Sequence, residues 1–256
     1  MNSETQPVLL DIDQGVARIT LNRPEKRNAL NDAIIDGLKT ALRRADLDES
    51  VRVIAIKGAG KDFCSGADLS SLQKISDASV SENLDDAHAL MELFTLIREA
   101  QVPVVAAVHG RALAGGCGLA CACDLIVASR SARFGYPEVK IGFVPAMVMA
   151  ILRRNVSEKL AFELITRGAE ITASEAKQIG LVNQVFDDDS CETEVNIYLS
   201  AFATMSKTAI ALTKRLLYQM DGMSFHEALE SGVDVNVIAR MTEDCQKGIA
   251  RFFKKE

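Results

Sequence analysis

The feature that most constrains the fold is an uninterrupted apolar run that leads into a glycine-rich segment. Residues 104–108 read VVAAV, and residues 110–118, GRALAGGCG, follow almost at once. This pattern predicts a fully buried strand that opens into a helix. The glycines lack the GxGxxG spacing of a dinucleotide-binding turn, and an earlier loop, residues 60–69, lacks the ending of a Walker loop. Spacing therefore excludes dehydrogenase and P-loop interpretations.

The two glycine-containing loops, residues 60–69 and 110–118, each follow a predicted strand. At a helix start the backbone N–H groups have no intrahelical partner, and the helix dipole adds partial positive charge. Glycine lets a ligand approach such amides closely. Two loops of this kind could direct two N–H groups at one carbonyl oxygen and stabilise an oxyanion. The same glycines also suit tight helix–strand packing, and the loops alone do not separate the two interpretations.

A single glutamate, Glu138, follows Pro137 in an apolar stretch. A Glu after Pro is usually a solvated residue of a turn or of the first helical turn. Phe134, Val139 and Ile141 are its neighbours in sequence, and burial among them would raise its pKa and suit it to proton transfer. Glu138 is therefore a candidate acid/base as well as a candidate turn residue.

The order of predicted elements indicates an α/β fold of repeated strand–strand–helix units. A hairpin turns at Asp13-Gln14-Gly15, and Asn31 is predicted to cap the helix that follows. Further elements are predicted as strands at 51–56, 104–108, 123–128 and 181–186, and as helices at 84–100 and 173–180. This succession predicts a β-rich spiral and not a doubly wound sheet.

The C-terminal part is predicted to be helical, with more apolar surface than one small domain needs. Its two apolar faces comprise Leu212, Leu216, Leu217 and Met220, and Phe225, Leu229, Val233 and Val237. We expect such faces to pack against a neighbouring subunit. The chain then divides into a core of residues 1–195, which carries the site, and a helical region of residues 196–256.

Charge and composition exclude other classes. The 29 Lys and Arg against 35 Asp and Glu give a net charge of −6, which disfavours a nucleic-acid partner but allows an anionic small molecule at a local positive patch. No signal peptide and no membrane helix are predicted, and a cytoplasmic location is expected. Cys117, Cys121 and Cys123 do not have zinc-site spacing, so buried thiols are predicted there and no metal site.

These segments together resemble the enoyl-CoA hydratase/isomerase (crotonase) superfamily. Four motifs of that family occur in order across essentially the whole chain. They are the turn Asn22-Arg23-Pro24 with the residues up to Asn31, the loop of residues 63–69, the glycine segment through Asp124, and residues 134–138 followed by Gly142 and Pro145. The tail, residues 243–255, is also similar to the family.

The resemblance implies a crotonase-like spiral of ββα turns with a C-terminal trimerisation region, a homotrimer or dimer of trimers, and acyl-CoA thioesters as substrates. By motif position, the N–H groups of Ala67 and Gly115 would form the oxyanion hole. The residues toward CoA would be Lys26 and Ala29, which line the pantetheine and diphosphate path, and Ser65, Asp68 and Leu69, near the adenine. Neither a metal nor a separate cofactor is implied, because CoA is part of the substrate.

The chain differs from typical hydratases of this family in having one carboxylate where they have two. Glu138 matches one of them, and the second position is Gly118; the aspartate of isomerase branches would fall at Ala146. One base suffices to move a double bond from C3 to C2, whereas hydration is most easily managed with two. The resemblance therefore favours 3-enoyl-CoA to 2-enoyl-CoA isomerisation. If the missing carboxylate explains the difference, Gly118→Glu should raise hydration.

Alternatives remain open at this point. An enoyl-CoA hydratase is the main one, including one for short or branched substrates such as methylglutaconyl-CoA. A Ser65–His109 nucleophile pair and a non-catalytic CoA-binding or scaffold protein are others. His88 and His109 are interpreted as structural or solvated residues.

Overall fold

The computed structural model describes residues 6–68, 73–75 and 77–253, and within them nine strands form two sheets. The strands are β1 Val8–Asp13, β2 Val16–Leu21, β3 Val53–Gly58, β4 Val104–Val108, β5 Arg111–Leu113, β6 Leu125–Ser129, β7 Arg133–Gly135, β8 Glu170–Thr172 and β9 Gln184–Phe186. The helices are α1 Asp32–Leu47, α2 Val80–Glu99, α3 Gly115–Ala122, α4 Ala146–Asn155, α5 Glu158–Arg167, α6 Ala173–Gln178, α7 Cys191–Ser200, α8 Lys207–Gln219, α9 Phe225–Met241 and α10 Glu243–Phe253. The larger sheet has the order β1-β2-β3-β4-β6-β9, and the smaller one β5-β7-β8.

The larger sheet begins with the predicted hairpin and continues as parallel strands. β1 and β2 are antiparallel, and Gln14 and Gly15 between them both have positive φ, the backbone shape that favours a two-residue hairpin turn. From β2 to β9 all neighbours are parallel, and four of the five residues of β4 are buried. Such burial is expected when both faces of a parallel sheet are covered. The apolar run of residues 104–108 is thus the centre of the core.

The predicted strand–strand–helix repeat is confirmed. β4, β5 and α3 form one unit, and β6, β7 and α4 form the next. An isolated parallel bridge between Cys64 and Ala112 joins the segment after β3 to the smaller sheet. The unit made of β3, this segment and α2 therefore has the same strand–strand–helix form. Asn31 caps α1 as predicted, its side chain accepting a hydrogen bond from Ile34 N.

Several predicted boundaries differ from the structure for local reasons. The helix predicted to begin at residue 84 starts at Val80, because Ser79 and Glu82 form a capping box and the first turns are too exposed to show apolar periodicity. The strand predicted at 181–186 is Gln184–Phe186. Leu181 and Val182 are buried, but their N–H groups bond to Ala176 O and close the turn after α6 instead of joining the sheet.

The last helices leave the core progressively. Leu199 of α7 is buried on the outer face of the larger sheet, whereas α9 and α10 contain no buried residue. Residue 196, the predicted start of the helical region, lies inside α7, and the division into two regions stays a prediction. Among the helices within the described residues, none combines the length and apolar character needed to cross a bilayer.

Candidate active site

Parallel pairing aligns the segments that carry the three predicted catalytic groups at one edge of the smaller sheet. Cys64 pairs with Ala112 in an isolated bridge, and Ala112 pairs with Phe134 in the β5–β7 ladder. Parallel strands place residues at equal distances beyond an aligned row side by side. Three residues after Cys64 comes Ala67, three after Ala112 comes Gly115, and four after Phe134 comes Glu138.

The two loops that carry Ala67 and Gly115 touch each other. Gly66 has φ +95°, and a Cβ on it would lie 2.7 Å from Ala114 Cβ, so this approach requires glycine. Gly115 is the first residue of α3, where the N–H groups have no intrahelical acceptor. Among the hydrogen bonds within the described residues, none uses the N–H of Ala67 or of Gly115. Both amides are therefore available to an outside oxygen.

Ala114, which precedes the helix, has an unusual backbone. Its φ is 51° and its ψ is −128°, a conformation that a residue with a Cβ rarely adopts. The bond from Ala114 N to Gly135 O, 2.8 Å, holds it there against β7. Strain of this kind is found where surrounding structure fixes a functional geometry, and here it sets the direction of the next amide, that of Gly115.

Glu138 is the second residue of a short 3₁₀ helix, Pro137–Ile141, and is half-buried. Its Oε2 is buried and accepts no hydrogen bond from any described residue. Burial raises the pKa of this carboxyl above its usual value. Of the apolar neighbours named from the sequence, Phe134 is buried as expected, whereas Val139 and Ile141 are exposed; Tyr136, on the strand side, is buried as well.

Main-chain bonds join the N-terminal turn to the first loop. Ser65 N donates to Arg27 O, Leu30 N donates to Gly66 O, and Asp68 N donates to Leu30 O. This segment thus extends the row formed by the loop residues. Lys26 and Ala29, the predicted residues of the CoA path, lie on it; Lys26 is exposed and Ala29 is buried.

The remaining predicted CoA contacts differ in accessibility. Ser65 is partly buried, whereas Asp68 is buried and its carboxylate pairs with Arg23 at 3.1 Å. Leu69 lies outside the described residues. The roles of all these residues toward a ligand stay predictions.

Two buried polar residues hold the loops in place and were not singled out from the sequence. Asn28, with φ 55°, donates to Ala59 O and Asp62 O and accepts from Arg23 N. Asp62 accepts from Arg111 N at the start of β5. The sequence does give one indication for Asn28, which is its residue type, because asparagine is one of the few non-glycine residues that adopt positive φ readily.

Gly118 lies one turn after Gly115 on α3, and its surroundings are apolar. The three atoms nearest to a Cβ built on it are Val148 Cγ2 at 2.6 Å, Val148 Cγ1 at 3.2 Å and Phe94 Cζ at 3.5 Å. The position predicted to lack a second carboxylate is therefore filled from α4 and α2. Ala146, where an isomerase branch would have its aspartate, is exposed at the first turn of α4.

Other candidate groups have structural surroundings. His109 Nε2 lies 3.0 Å from Gly60 O, and His88 is exposed on α2. No hydrogen bond joins Ser65 to His109 within the described part of the chain, so the nucleophile pair gains no support. Cys117, Cys121 and Cys123 are buried and free. In residues 6–68, 73–75 and 77–253, no three His, Cys, Asp or Glu side chains group as metal ligands would.

A large cavity lies away from this edge. It measures about 1300 Å³ between α2, α4 and α8. Neither Glu138 nor the two free amides line it, but Phe94 does. Phe94 therefore separates the surroundings of Gly118 from this larger space.

The chain is similar to proteins of one family along nearly its whole length. The family model for enoyl-CoA hydratase/isomerase matches residues 11–256. A Thermus thermophilus protein, provisionally named an enoyl-CoA hydratase, is 40% identical over 248 residues, covering 96% of this chain and 98% of the relative. The 2,3-dehydroadipyl-CoA hydratase of Escherichia coli is 34% identical over 249 residues, covering 97% and 96%. The solved enoyl-CoA hydratase of Mycobacterium smegmatis superposes with a TM-score of 0.93 at 32% identity, covering 98% and 97%.

Proposed function

This chain belongs to the enoyl-CoA hydratase/isomerase family, and we propose that it moves the double bond of a 3-enoyl-CoA to C2, with Glu138 as its single acid/base. The observation that carries this proposal is the contrast between two positions of the site. Glu138 offers a buried carboxyl oxygen that accepts no hydrogen bond from a described residue, and the three atoms nearest to a Cβ built on Gly118 are all carbon.

The proposed mechanism uses the two free amides and the one carboxylate. The thioester oxygen accepts hydrogen bonds from the N–H groups of Ala67 and Gly115. The Glu138 carboxylate removes a proton from C2, and the electron pair of that C–H bond passes into a dienolate whose charge rests on the thioester oxygen. Glu138 then returns the proton to C4, which leaves the double bond between C2 and C3. Each oxyanion donor contributes roughly 10²–10³-fold in such sites, and a general base about 10²–10⁴-fold.

An acyl-CoA substrate is consistent with the charges around the N-terminal turn. Lys26, Arg27 and Lys61 are exposed, and Gly60 packs on Pro24, so residues 60–61 lie beside that turn. These cations form a local positive patch on a chain of net charge −6 and suit the phosphates of CoA. No metal or separate cofactor enters the proposed reaction, because two amides hold the enolate oxygen.

We expect the chain to act as a homotrimer or a dimer of trimers. Along α9, Phe225, Leu229, Val233 and Val237 expose 53–81% of their surface. Apolar stripes of this extent are typical of subunit interfaces. The helical C-terminal region is therefore the proposed contact with the core of a neighbouring copy.

A second candidate function is hydration of a 2-enoyl-CoA. The names of the relatives favour it, since the Escherichia coli protein is called a 2,3-dehydroadipyl-CoA hydratase. Hydration with one carboxylate would need Glu138 to activate the water and also to deliver the proton at C2.

The two candidates are separated by one assay with two substrates. We expect a 3-enoyl-CoA to gain the absorbance of a conjugated enoyl thioester without a change in mass. A 2-enoyl-CoA control should keep its band. Loss of that band with gain of one water, and no change in the 3-enoyl-CoA, would overturn isomerisation in favour of hydration.

A further inference from the structure

Val148 occupies the space into which a side chain at position 118 would extend. Its two methyl groups and the ring edge of Phe94 are the atoms nearest to a Cβ built on Gly118. Val148 is 4% exposed and Phe94 is 5% exposed, so both are packed inside the protein, although Phe94 also lines the cavity between α2, α4 and α8. A contact of 2.6 Å is shorter than any that carbon atoms tolerate, and the conflict lies with a branched side chain stiff at χ1. Any side chain at this position therefore requires Val148 to shift.

From this contact we infer that Val148, backed by Phe94, is a specificity-determining residue that selects proton transfer within the substrate over addition of water. The inference deepens the proposed function and rests on it. Gly118 is one helical turn from Gly115, so the two positions lie on the same face of α3, and Val148 and Phe94 form an apolar wall against that face. Val148 acts by shape and polarity and takes no proton itself.

The apolar character of the wall gives the physical reason. An ordered water needs two to four polar partners, and a space enclosed by carbon stays dry. The three atoms nearest to a Cβ at position 118 are all carbon, so they offer a nucleophilic water no hydrogen bond. Without such a water, Glu138 in the short 3₁₀ helix Pro137–Ile141 can transfer only protons of the substrate.

The same contact changes the expected result of adding the second carboxylate. Gly118→Glu alone should not create a hydratase, because its Cβ collides with Val148 before the carboxyl reaches the site. The carboxylate needs Val148 to be reduced as well. Hydration should therefore respond to the pair of substitutions and not to either one separately.

The first experiment compares four proteins: wild type, Gly118→Glu, Val148→Ala and the double variant. Hydration of a 2-enoyl-CoA is followed by loss of the conjugated band and gain of one water in mass. The double variant should hydrate at least about tenfold faster than the wild type and either single variant. Gly118→Glu with Val156→Ala is the matched control, because Val156 is the buried valine just after α4 and is not among the atoms nearest to Gly118. This control should gain nothing.

A second experiment tests the contact without reference to the reaction. Gly118→Ala adds one methyl group and should lower the thermal midpoint by several degrees. Val148→Ala in the same chain should restore at least half of that loss. An unchanged midpoint for Gly118→Ala, or a loss that Val148→Ala does not reduce, would overturn the assigned contact.

The outcomes separate this inference from the proposed function. If the wild type isomerises a 3-enoyl-CoA but the folded double variant gains no hydration, Val148 does not select the reaction and isomerisation stands. An equal gain in Gly118→Glu alone also removes Val148 from the role. If the wild type hydrates a 2-enoyl-CoA rapidly and does not isomerise, both proposals fail together.

Discussion

Arg23 and Asp68 form an ion pair that ties the N-terminal turn to the loop of the proposed oxyanion hole. Arg23 Nη2 lies 3.1 Å from Asp68 Oδ2, and the two side chains are 20% and 8% exposed. Asp68 follows Ala67 directly, so the pair fixes the backbone whose N–H is proposed to bind the thioester. The Asn-Arg-Pro motif therefore has a structural reason that does not involve ligand contact.

Arg23→Met should destabilise the chain markedly. Breaking a buried pair by removing one partner costs about 3–5 kcal/mol, and with Arg23 partly exposed we expect about 2 kcal/mol in the free energy of unfolding. The measurement is denaturant unfolding. Arg130→Met is the control, because the Arg130–Asp187 pair is exposed on both sides and should change stability by under about 0.5 kcal/mol. Equal effects of the two substitutions would contradict a buried role for Arg23.

Glu138→Gln should abolish turnover and leave binding of CoA unchanged. The substitution keeps the shape of the side chain and removes its ability to take a proton, so we expect kcat to fall by at least about 100-fold. Steady-state kinetics and calorimetric titration with CoA measure the two quantities. Glu158→Gln, at an exposed first-turn glutamate of α5, is the control. Turnover of Glu138→Gln near that of the wild type would remove Glu138 from its role.

The rate should depend on pH through Glu138. Burial raises the pKa of this carboxyl, and the base must be ionised to take a proton. We therefore expect kcat/KM to increase with pH, with the increase at pH values above those at which an ordinary carboxyl ionises. The contribution of Glu138 to folding stability changes with pH in the opposite direction. A carboxyl with a raised folded-state pKa favours the fold below its unfolded pKa and loses that contribution as pH rises through the folded value. Glu138→Gln should therefore gain stability relative to the wild type as pH increases, and parallel stability profiles of the two proteins would contradict the burial of this group.

Ala114→Gly should relieve backbone strain. A residue with a Cβ at φ 51° and ψ −128° carries about 1–3 kcal/mol of backbone strain, which glycine would relieve. Glycine also gives the unfolded chain more conformational freedom, and this reduces the gain in stability by about 0.4–1 kcal/mol. We expect a net gain of about 1 kcal/mol in the free energy of unfolding. Ala112→Gly in the middle of β5 is the comparison and should lose stability. A loss in both variants would mean that Ala114 is not strained.

Val233→Glu should separate the proposed oligomer into monomers. Val233 is 63% exposed on the apolar stripe of α9, and a charge there would be desolvated in any interface. Light scattering with size-exclusion chromatography gives the mass at micromolar concentration. Asn236→Glu places the same charge on an exposed polar position of α9 and should keep the wild-type mass. An unchanged mass for Val233→Glu would locate the interface elsewhere.

The larger sheet was predictable because its strands carry local signals. β4 is a continuous apolar run. Asn31 is a helix N-cap and Gln14-Gly15 is a hairpin turn, and both are local signals with a known physical cause. The strands of the smaller sheet, β5, β7 and β8, were not predicted. They have three residues each, too few for any periodicity to be seen.

Part of the site was predictable by motif, but not its geometry. The segments that carry Ala67, Gly115 and Glu138 are aligned by the row Cys64, Ala112 and Phe134, which depends on the register between distant segments, and the roles of the three residues stay predictions. The absence of a carboxylate at Gly118 was visible in the sequence. The sequence did not show that Val148 fills this space, because the contact joins α3 and α4, which are separated along the chain by two strands.

Asp124 has a consequence for the order in which the chain can fold during its synthesis. It begins the segment into β6 and accepts hydrogen bonds from Val104 N and from Tyr218, which is 94 residues further along the chain; Lys214 pairs with the same carboxylate. A nascent chain that has emerged only as far as β6 therefore carries an acidic group in its interior with no cation to meet it. The contacts of that carboxylate with Lys214 and Tyr218 can form only after most of the chain has been made, so this part of the core should mature late, after the C-terminal helices have been synthesised.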